Sequence, residues 1–176
     1  MPTMKLRLAQ DKDLHHISEI MERAISELQS DVLTPSQVEA SRSGMGLDTQ
    51  LVADGTYFVV ERGERLIGCG GWSRRATLYG GNHSGGRDAR LLDAATERAR
   101  IRAMYTHPDH VRRGVGAMIL EASEDAARAE GFSAMEMAAT LAGKPFYESR
   151  GYRVERAFTD KQGEVGVPLF VMAREL

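Results

Sequence analysis

The chain has 176 residues, with 23 Lys and Arg against 25 Asp and Glu, and a formal net charge of −2. A chain of this length can bury a core without a disulfide or a structural metal, and its near-neutral charge predicts neither a nucleic-acid nor a membrane partner. The single cysteine, the lack of an apolar signal core at the N-terminus and the lack of any apolar run near the roughly 20 residues that cross a bilayer favour a cytoplasmic protein.

The first third of the chain predicts a strand followed by two helices. Apolar and charged residues alternate over residues 4–9, which is the period of a half-buried strand. After Asp11, a predicted N-cap, apolar residues recur at helical spacing as far as residue 28. The sequence Thr34-Pro35-Ser36-Gln37 combines a capping box with proline at the first helical position, so a second, shorter helix should begin there and end at Gly44 or Gly46.

A hairpin and a long polar segment come next. Residues 56–60 and 65–72 flank a short turn that contains Gly63, which predicts two antiparallel strands. Residues 73–97 are polar and interrupted by glycine pairs, and the segment is longer than most connections in compact domains. This pattern is equally typical of a tolerated surface insertion and of a substrate lid.

The second half alternates strands with helices. A strand is predicted over residues 101–106, and a helix from Val115 to the glycine at position 131. A strand over 133–138, a helix over 144–150 and a hairpin of 152–158 with 165–173 follow, in which Pro168 predicts an edge position or a bulge. This order predicts an α/β (α+β) fold, in which helices cover a mixed sheet.

The segment most suited to binding a ligand runs from Met104 to Ala117. It is a strand that leads through a tight loop into a helix. Gly114 and Gly116 lie where the helix starts and allow a ligand to approach the backbone. The N–H groups of a first helical turn have no partners within the helix, so they form an anion site, to which Arg112 and Arg113 add charge. We expect a phosphate group to bind here.

Three phosphate-binding patterns compete for this loop. A nucleoside-triphosphate P-loop requires Lys followed by Ser or Thr, and neither pair follows these glycines. A dinucleotide site requires a third glycine where this chain has Ile119. A glycine-rich helix start that binds nothing is the remaining structural alternative.

Here the sequence resembles the GNAT superfamily of acyl-CoA N-acyltransferases. The family signature Q/R-x-x-G-x-G/A is matched by Val111-Arg112-Arg113-Gly114-Val115-Gly116, with valine in place of the usual first residue. A downstream Y-x-x-x-G-F/Y element is matched from Tyr147 to Tyr152. The resemblance is sharpest over residues 98–152 and weak before residue 56. It implies one GNAT domain over residues 1–176, with a mainly antiparallel sheet of six to seven strands and about four helices.

The resemblance also implies roles for individual residues. The main chain of Met104, Tyr105 and Thr106 should pair with the pantetheine arm of coenzyme A. Tyr147 should contact the cofactor and act as the general acid on the departing thiolate, or merely pack against it. The pyrophosphate should lie on a run of consecutive residues, namely Val111, Arg112, Arg113, Gly114, Val115, Gly116 and Ala117.

The acceptor side is less well defined by the sequence. The amine must be neutral to attack, yet the two candidate bases, Glu61 and Glu97, are more typical of solvated carboxylates. The resemblance implies an acceptor pocket at or beyond the end of the third strand, with three candidate lining residues: Trp72, Tyr79 and His83. A tryptophan in a strand is, however, more typical of a core residue, and His83 of a surface one. No metal is expected, because the histidines at positions 15 and 16 lack a second ligand at metal spacing, and Cys69 is expected to be inert core.

The sequence therefore predicts an N-acetyltransferase that moves acetyl from acetyl-CoA to the amine of a small molecule or peptide, directly in a ternary complex. One alternative is a sensor or interaction module that binds coenzyme A without chemistry, and a weaker one is a nucleotide-binding module. A homodimer is expected from the resemblance alone, and the identity of the acceptor is not encoded in any motif found.

Overall fold

The computed structural model describes residues 2–176, in which seven strands and five α-helices alternate along the chain. The strands are β1 (Met4–Leu8), β2 (Tyr57–Arg62), β3 (Arg65–Ser73), β4 (Ala99–Thr106), β5 (Ala134–Thr140), β6 (Arg153–Gln162) and β7 (Val165–Glu175). The helices are α1 (Leu14–Leu28), α2 (Pro35–Ser41), α3 (Thr49–Ala53), α4 (Val115–Ala129) and α5 (Lys144–Ser149). None of the helices within this described range is both long and apolar enough to cross a membrane.

All seven strands form one sheet in the order β1-β2-β3-β4-β5-β7-β6. Every neighbouring pair is antiparallel except β4 and β5, which run parallel. The predicted fold class, a mixed and mainly antiparallel sheet with helices on its faces, is confirmed. The β4–β5 pair is also the weakest one, because pairing is confined to Ala99 with Met135 and Arg100 with Glu136.

Helices cover both faces of this sheet. Consecutive strand residues point to opposite faces, so Val59 packs with α1 while Val60 packs with α4. The α1 side buries Ile17 and Tyr57, and the α4 side buries Ile119. Both faces of β2 and β3 are therefore covered, which explains why residues 57–60 and 66–72 carry no charged side chain.

The helices before β2 confirm one prediction made from the sequence and contradict another. The capping box of α2 is confirmed, since the Thr34 hydroxyl accepts from the Gln37 N–H at 3.2 Å and the Gln37 side chain accepts from the Thr34 N–H at 3.0 Å. The N-cap assigned to Asp11 is wrong, because residues 11–13 form a short 3-10 turn before α1. Helix α3 was not predicted, since five residues are too few to show a helical period.

Pro168 lies in a strand that is internal to the sheet rather than at its edge. Strand β7 pairs with both β5 and β6. However, its pairing with β5 stops at Leu169, so Pro168 is paired only with Thr159 of β6. Proline is tolerated there because its missing N–H falls where the strand has one neighbour.

The segment over residues 73–97 is folded back on itself instead of standing open. Backbone hydrogen bonds join Ala76 N–H to Arg90 O at 2.9 Å and Leu92 N–H to Arg74 O at 2.8 Å, and Leu92 is buried in the core. The middle of this segment reaches the sheet beside β4. It therefore contributes to the site described next.

Candidate functional site

A bulge in β4 sets the geometry of the site. Ala103 and Met104 both lie opposite Gly70 of β3, because the register with β3 shifts at that point. Ala103 adopts φ = 50°, a left-handed conformation that costs a residue with a Cβ roughly 1–2 kcal/mol. The hydroxyl of Tyr57 donates to the Ala103 carbonyl at 2.6 Å and holds the bulge in place.

Glycine in β3 makes room for this bulge. A Cβ at Gly70 would lie 2.5 Å from the Met104 sulfur and 3.1 Å from its Cα. At Gly68, two residues earlier on the same face, a Cβ would lie 2.3 Å from Val115 at the start of α4. Gly68 and Gly70 are thus explained by the close approach of α4 and of the bulge to one face of β3, whereas a Cβ at Gly71 would lie 2.1 Å from the Thr56 carbonyl oxygen.

Strands β4 and β5 separate beyond Arg100 and open a cleft of about 130 Å³. One side of it, the strand wall, consists of residues 101–105 of β4, residues 137–140 of β5, and Tyr147 of α5. Since β5 no longer pairs with β4 here, the β5-facing backbone groups of the bulged strand are free for a ligand. An extended polar chain could add to β4 at this point as an extra strand does.

The opposite side, the loop wall, consists of residues 44–46 after α2 and residues 78–80 of the long segment. The N–H of Gly46 donates to the Tyr105 hydroxyl at 3.1 Å, which ties this wall to β4. The ring of Tyr79 faces the cleft, and its hydroxyl donates to Asp160 of β6 at 3.4 Å. Burial, and after it the charge of Asp160, raises the pKa of Tyr79.

A buried ion network fixes the loop wall to the sheet. The guanidinium of Arg102 meets Asp48 at 2.9 Å with side chains only 2% and 1% exposed, and it also donates to the Gly80 carbonyl at 2.6 Å. Arg87 contacts the same carboxylate at 3.0 Å. Burial lowers the pKa of Arg102, while the charge of Asp48 opposes that shift. Two arginines therefore share one carboxylate directly behind the cleft.

The start of α4 presents backbone donors beside this cleft. Gly114 precedes the helix with φ = 85°, and no side chain caps it. The first hydrogen bond of the helix joins Met118 N–H to Gly114 O, so the N–H groups of residues 115–117 have no partner in the described chain. Arg112 and Arg113 are exposed and form no ion pair within residues 2–176. This combination is suited to an anion.

Helix α5 connects the start of α4 to the cleft. A Cβ at Gly116 would lie 3.3 Å from the Phe146 ring, so glycine at this position allows α5 to pack closely against the start of α4. The next residue, Tyr147, is 8% exposed and lines the cleft. No described residue hydrogen-bonds with its hydroxyl, and burial raises its pKa. The phenol is thus protonated at neutral pH and available to a ligand.

Comparison with known proteins assigns the chain to a family. A sequence model of the acetyltransferase (GNAT) family matches residues 19–152. The chain belongs to this family. As a GNAT N-acetyltransferase it is an acyltransferase, and the matched region contains the bulge, the start of α4 and Tyr147.

Individual relatives agree with this assignment. The chain is 29% identical over 128 residues to "Uncharacterized N-acetyltransferase YjcF" of Bacillus subtilis, which covers 72% of this chain and 74% of that protein. A GCN5-related N-acetyltransferase from Rhodopseudomonas palustris has a similar structure, with a TM-score of 0.72 at 21% identity over 100% of this chain and 98% of that one. YncA from Salmonella typhimurium, solved with acetyl-CoA, has a TM-score of 0.64 at 20% identity over 98% and 93% of the two chains.

Most residues predicted to bind the cofactor are brought to one region of this acetyltransferase. Met104, Tyr105 and Tyr147 line the cleft, and Thr106 follows as the last residue of β4. The remaining ones occupy the loop before α4 and its first turn: Val111, Arg112, Arg113, Gly114, Val115, Gly116 and Ala117. Among these, the side chain of Val115 is directed into the core.

The residues predicted for the acceptor side are dispersed. Tyr79 lines the cleft, whereas Trp72 is 1% exposed and packs in the core against Phe132. His83 lies outside the cleft lining, where its ring contacts the Arg42 carbonyl at 2.7 Å. Cys69 is fully buried, and burial raises the pKa of its thiol to about 12, which agrees with an inert core residue.

Neither carboxylate considered as a base reaches the cleft. Glu61 pairs with Arg7 at 3.1 Å, on the strand next to the edge. Glu97 accepts from Arg90 at 2.9 Å and from the Asp93 N–H at 3.0 Å, and these bonds lower its pKa to about 2. A carboxylate with such a pKa holds protons poorly at neutral pH. The structure instead brings Asp160 to the loop wall, and no motif in the sequence marked that residue.

Proposed function

We propose that this enzyme takes the acetyl group of acetyl-CoA and transfers it directly to an amine while both substrates are bound. The observation that carries the proposal is the separation of β4 from β5 beside an uncapped helix start and a buried, unpaired phenol. These three features lie in one place. They supply a strand edge for the arm of acetyl-CoA, an anion site for its phosphates and a hydrogen-bond donor for its thioester. The family membership supports acetyl-CoA as the donor.

The diphosphate end is assigned to the start of α4. Three unpaired N–H groups of residues 115–117 and the positive end of the helix dipole favour an anion there. Arg112 and Arg113 are free of internal ion pairs, so binding the phosphates breaks no existing contact. Gly116 keeps α5 close by, which brings Tyr147 within the same site.

The thioester end is assigned to the strand wall. The bulge at Ala103 and Met104 interrupts the regular β4 ladder where the cleft begins, and the free edge of β4 offers backbone donors and acceptors to the amide groups of the arm. The thioester then lies between Tyr147 and the loop wall. An amine that enters past the loop wall meets the carbonyl carbon from the open side of the cleft.

Tyr147 is assigned to the departing sulfur. Its raised pKa, caused first by burial, exceeds that of an ordinary thiol near 8.5, so full transfer of the phenolic proton to a thiolate is uphill. A hydrogen bond from the phenol to the sulfur stabilises the negative charge as it develops, and this is the form of acid catalysis we infer. The proton that finally resides on sulfur comes from the attacking amine through water.

The amine must lose its proton before it attacks. At pH 7 this costs about 4–5 kcal/mol for an alkylamine with a pKa near 10.4. Glu61 and Glu97 are both occupied by arginine and lie outside the cleft lining. Solvent at the cleft mouth therefore takes the proton of the amine, rather than a dedicated carboxylate.

The decisive experiment is a calorimetric titration of acetyl-CoA into the wild type and into Arg112→Glu/Arg113→Glu. We expect the double reversal to weaken binding at least a hundredfold, because two charge-assisted contacts become repulsive. The matched control is Arg128→Glu, at the opposite end of α4, where the arginine contacts only exposed Asp125. That variant should bind acetyl-CoA as the wild type does.

A thiol-release assay with a panel of amines then separates an enzyme from a binding module. Amine-dependent release of free thiol supports the proposal. Tight binding of acetyl-CoA with only background release across the panel favours the sensor alternative. No heat from acetyl-CoA, or equal affinity in the double variant, contradicts the proposed donor site itself.

A further inference from the structure

Asp160 lies on the one face of β6 that is directed at the loop wall. Along β6, residues 158, 160 and 162 are partly buried while residues 159 and 161 are exposed. The Tyr79 hydroxyl donates to one oxygen of Asp160 at 3.4 Å, and a Cβ at Gly44 would lie 3.1 Å from the other. This carboxylate therefore touches both segments of the loop wall, although it is distant from them in sequence.

Asp160 differs from the other carboxylates around the site because no cation neutralises it. Within residues 2–176 its side-chain partners are the neutral groups of Tyr79 and Gln162, each at 3.4 Å. By contrast, Asp48 pairs with two arginines, and Glu136 pairs with Arg98 and Arg100. A half-buried anion held only by neutral donors attracts a positively charged ligand.

The cations near Asp160 do not compensate it. Arg102 is the cationic side chain in the cleft lining, and its guanidinium is held by Asp48 and by the Gly80 carbonyl rather than by Asp160. Arg156 stacks on the Phe158 ring at 5.1 Å and forms no ion pair with Asp160. Lys161 is the next residue along β6 and points to the exposed side. Asp160 thus places a negative charge without a cationic partner directly behind the loop wall.

The position of Asp160 also indicates which part of an acceptor it meets. A carboxylate stabilises an ammonium ion, whereas the attacking nitrogen must be neutral. Asp160 stands behind Tyr79 rather than among the residues that line the cleft. Its partner is therefore a charge set apart from the reacting nitrogen.

We propose that Asp160, oriented by Tyr79, is the counterion for a second positive charge on the acceptor, so that this acetyltransferase selects diamines and related dicationic amines over monoamines. The inference rests on the proposed function and adds the chemical class of the acceptor. It makes Asp160 a specificity-determining residue. Tyr79 is a positioning residue that acts through the carboxylate.

The test compares amines of matched length on the protein saturated with coenzyme A. Diamines from 1,3-diaminopropane to 1,5-diaminopentane, the corresponding monoamines, and 4-aminobutyrate are titrated by calorimetry into the wild type, Asp160→Asn and Tyr79→Phe. We expect the best diamine to bind the wild type about tenfold more tightly than its monoamine, with 4-aminobutyrate weakest. Asp160→Asn should remove that preference, and Tyr79→Phe should reduce it about threefold.

Glu164→Gln is the matched control, because Glu164 is an exposed carboxylate on the turn of the same β6–β7 hairpin. It removes the same charge from the same hairpin and should keep the preference for diamines. Steady-state kinetics with any accepted diamine should show a higher KM in Asp160→Asn with kcat little changed. The KM for acetyl-CoA should be equal in all variants.

Three results would overturn the inference: no diamine binding to the wild type, the same preference in Asp160→Asn as in the wild type, or tighter binding of 4-aminobutyrate than of any diamine. Failure of the proposed function has a different signature, namely no heat from coenzyme A with the wild type. The amine titrations are repeated without coenzyme A. The preference for diamines can then be compared between the wild type and Asp160→Asn even if coenzyme A does not bind.

Discussion

The two walls of the cleft are built on different principles. The strand wall depends on main-chain geometry, namely a bulge in β4 and the separation of β4 from β5. The loop wall depends on side-chain contacts between residues far apart in the sequence, namely the ion pair of Arg102 with Asp48 and the hydrogen bond of Tyr79 to Asp160. One cleft thus combines a side fixed by backbone geometry with a side fixed by long-range side-chain contacts.

The largest expected effect is on stability and comes from the loop wall. Asp48→Asn leaves the buried Arg102 without a counterion, and breaking one partner of such a pair typically costs about 3–5 kcal/mol. Chemical denaturation should show this loss in the free energy of unfolding. Asp125→Asn, which breaks an exposed pair with Arg128, should change it by less than about 1 kcal/mol. Equal losses in the two variants would show that the network does not hold the loop wall.

The next effect is on catalysis and comes from the strand wall. Tyr147→Phe keeps the ring and removes the hydroxyl that has no internal partner, so kcat should fall about a hundredfold with little change in stability. Tyr152→Phe is the control, because Tyr152 lies 6.0 Å away, ring centroid to ring centroid, and its hydroxyl donates to Glu124 instead. Tyr152→Phe should retain kcat. An unchanged kcat in Tyr147→Phe would remove the phenol from the mechanism.

A smaller effect is expected at the start of α4, where the backbone conformation of Gly114 can be tested without a steric clash. Gly114→Ala places a Cβ at φ = 85° where no neighbour lies within 4 Å, so its cost is conformational, roughly 1–2 kcal/mol. The N–H groups at the start of α4 should shift, and calorimetry should show weaker binding of acetyl-CoA. Gly85→Ala, at an open position without positive φ, should alter neither stability nor binding. Identical behaviour of the two variants would contradict a role for the Gly114 conformation.

The smallest effect concerns a carboxylate outside both walls. Glu97→Gln should leave the pH–rate profile unchanged near neutrality, because Glu97 with a pKa of about 2 is ionised throughout that range. The folded pKa lies below its ordinary value of 4.5, so the Glu97–Arg90 pair stabilises the fold above about pH 4.5 and loses this contribution as the pH falls through 2. The stabilities of the two proteins should therefore differ above pH 4.5, and the difference should shrink between pH 4.5 and 2. A shifted neutral limb of the rate profile would restore Glu97 as a base.

Local features of the chain could be predicted from the sequence, whereas features that depend on distant residues could not. The element order and the α2 capping box could be predicted, since they depend on periodicity and on contacts three residues apart. Helix α3 and the full length of β6 could not, because α3 has only five residues and most of β6 is exposed, so neither shows a clear pattern. Trp72 was a plausible pocket residue until the sheet directed it into the core.

The sequence by itself determined the helix start with its free N–H groups and the flanking arginines, because both follow from residues within one or two turns of chain, whereas Tyr147 was singled out by the resemblance to the GNAT family. Only the tertiary structure decided that β4 and β5 separate, that Asp48 meets Arg102 across 54 positions and that Asp160 meets Tyr79 across 81. The physical reason is the distance along the chain over which each interaction acts. Backbone conformation is set by near neighbours in the sequence. A side chain among 23 basic and 25 acidic residues, by contrast, meets its partner only when the fold brings the two together.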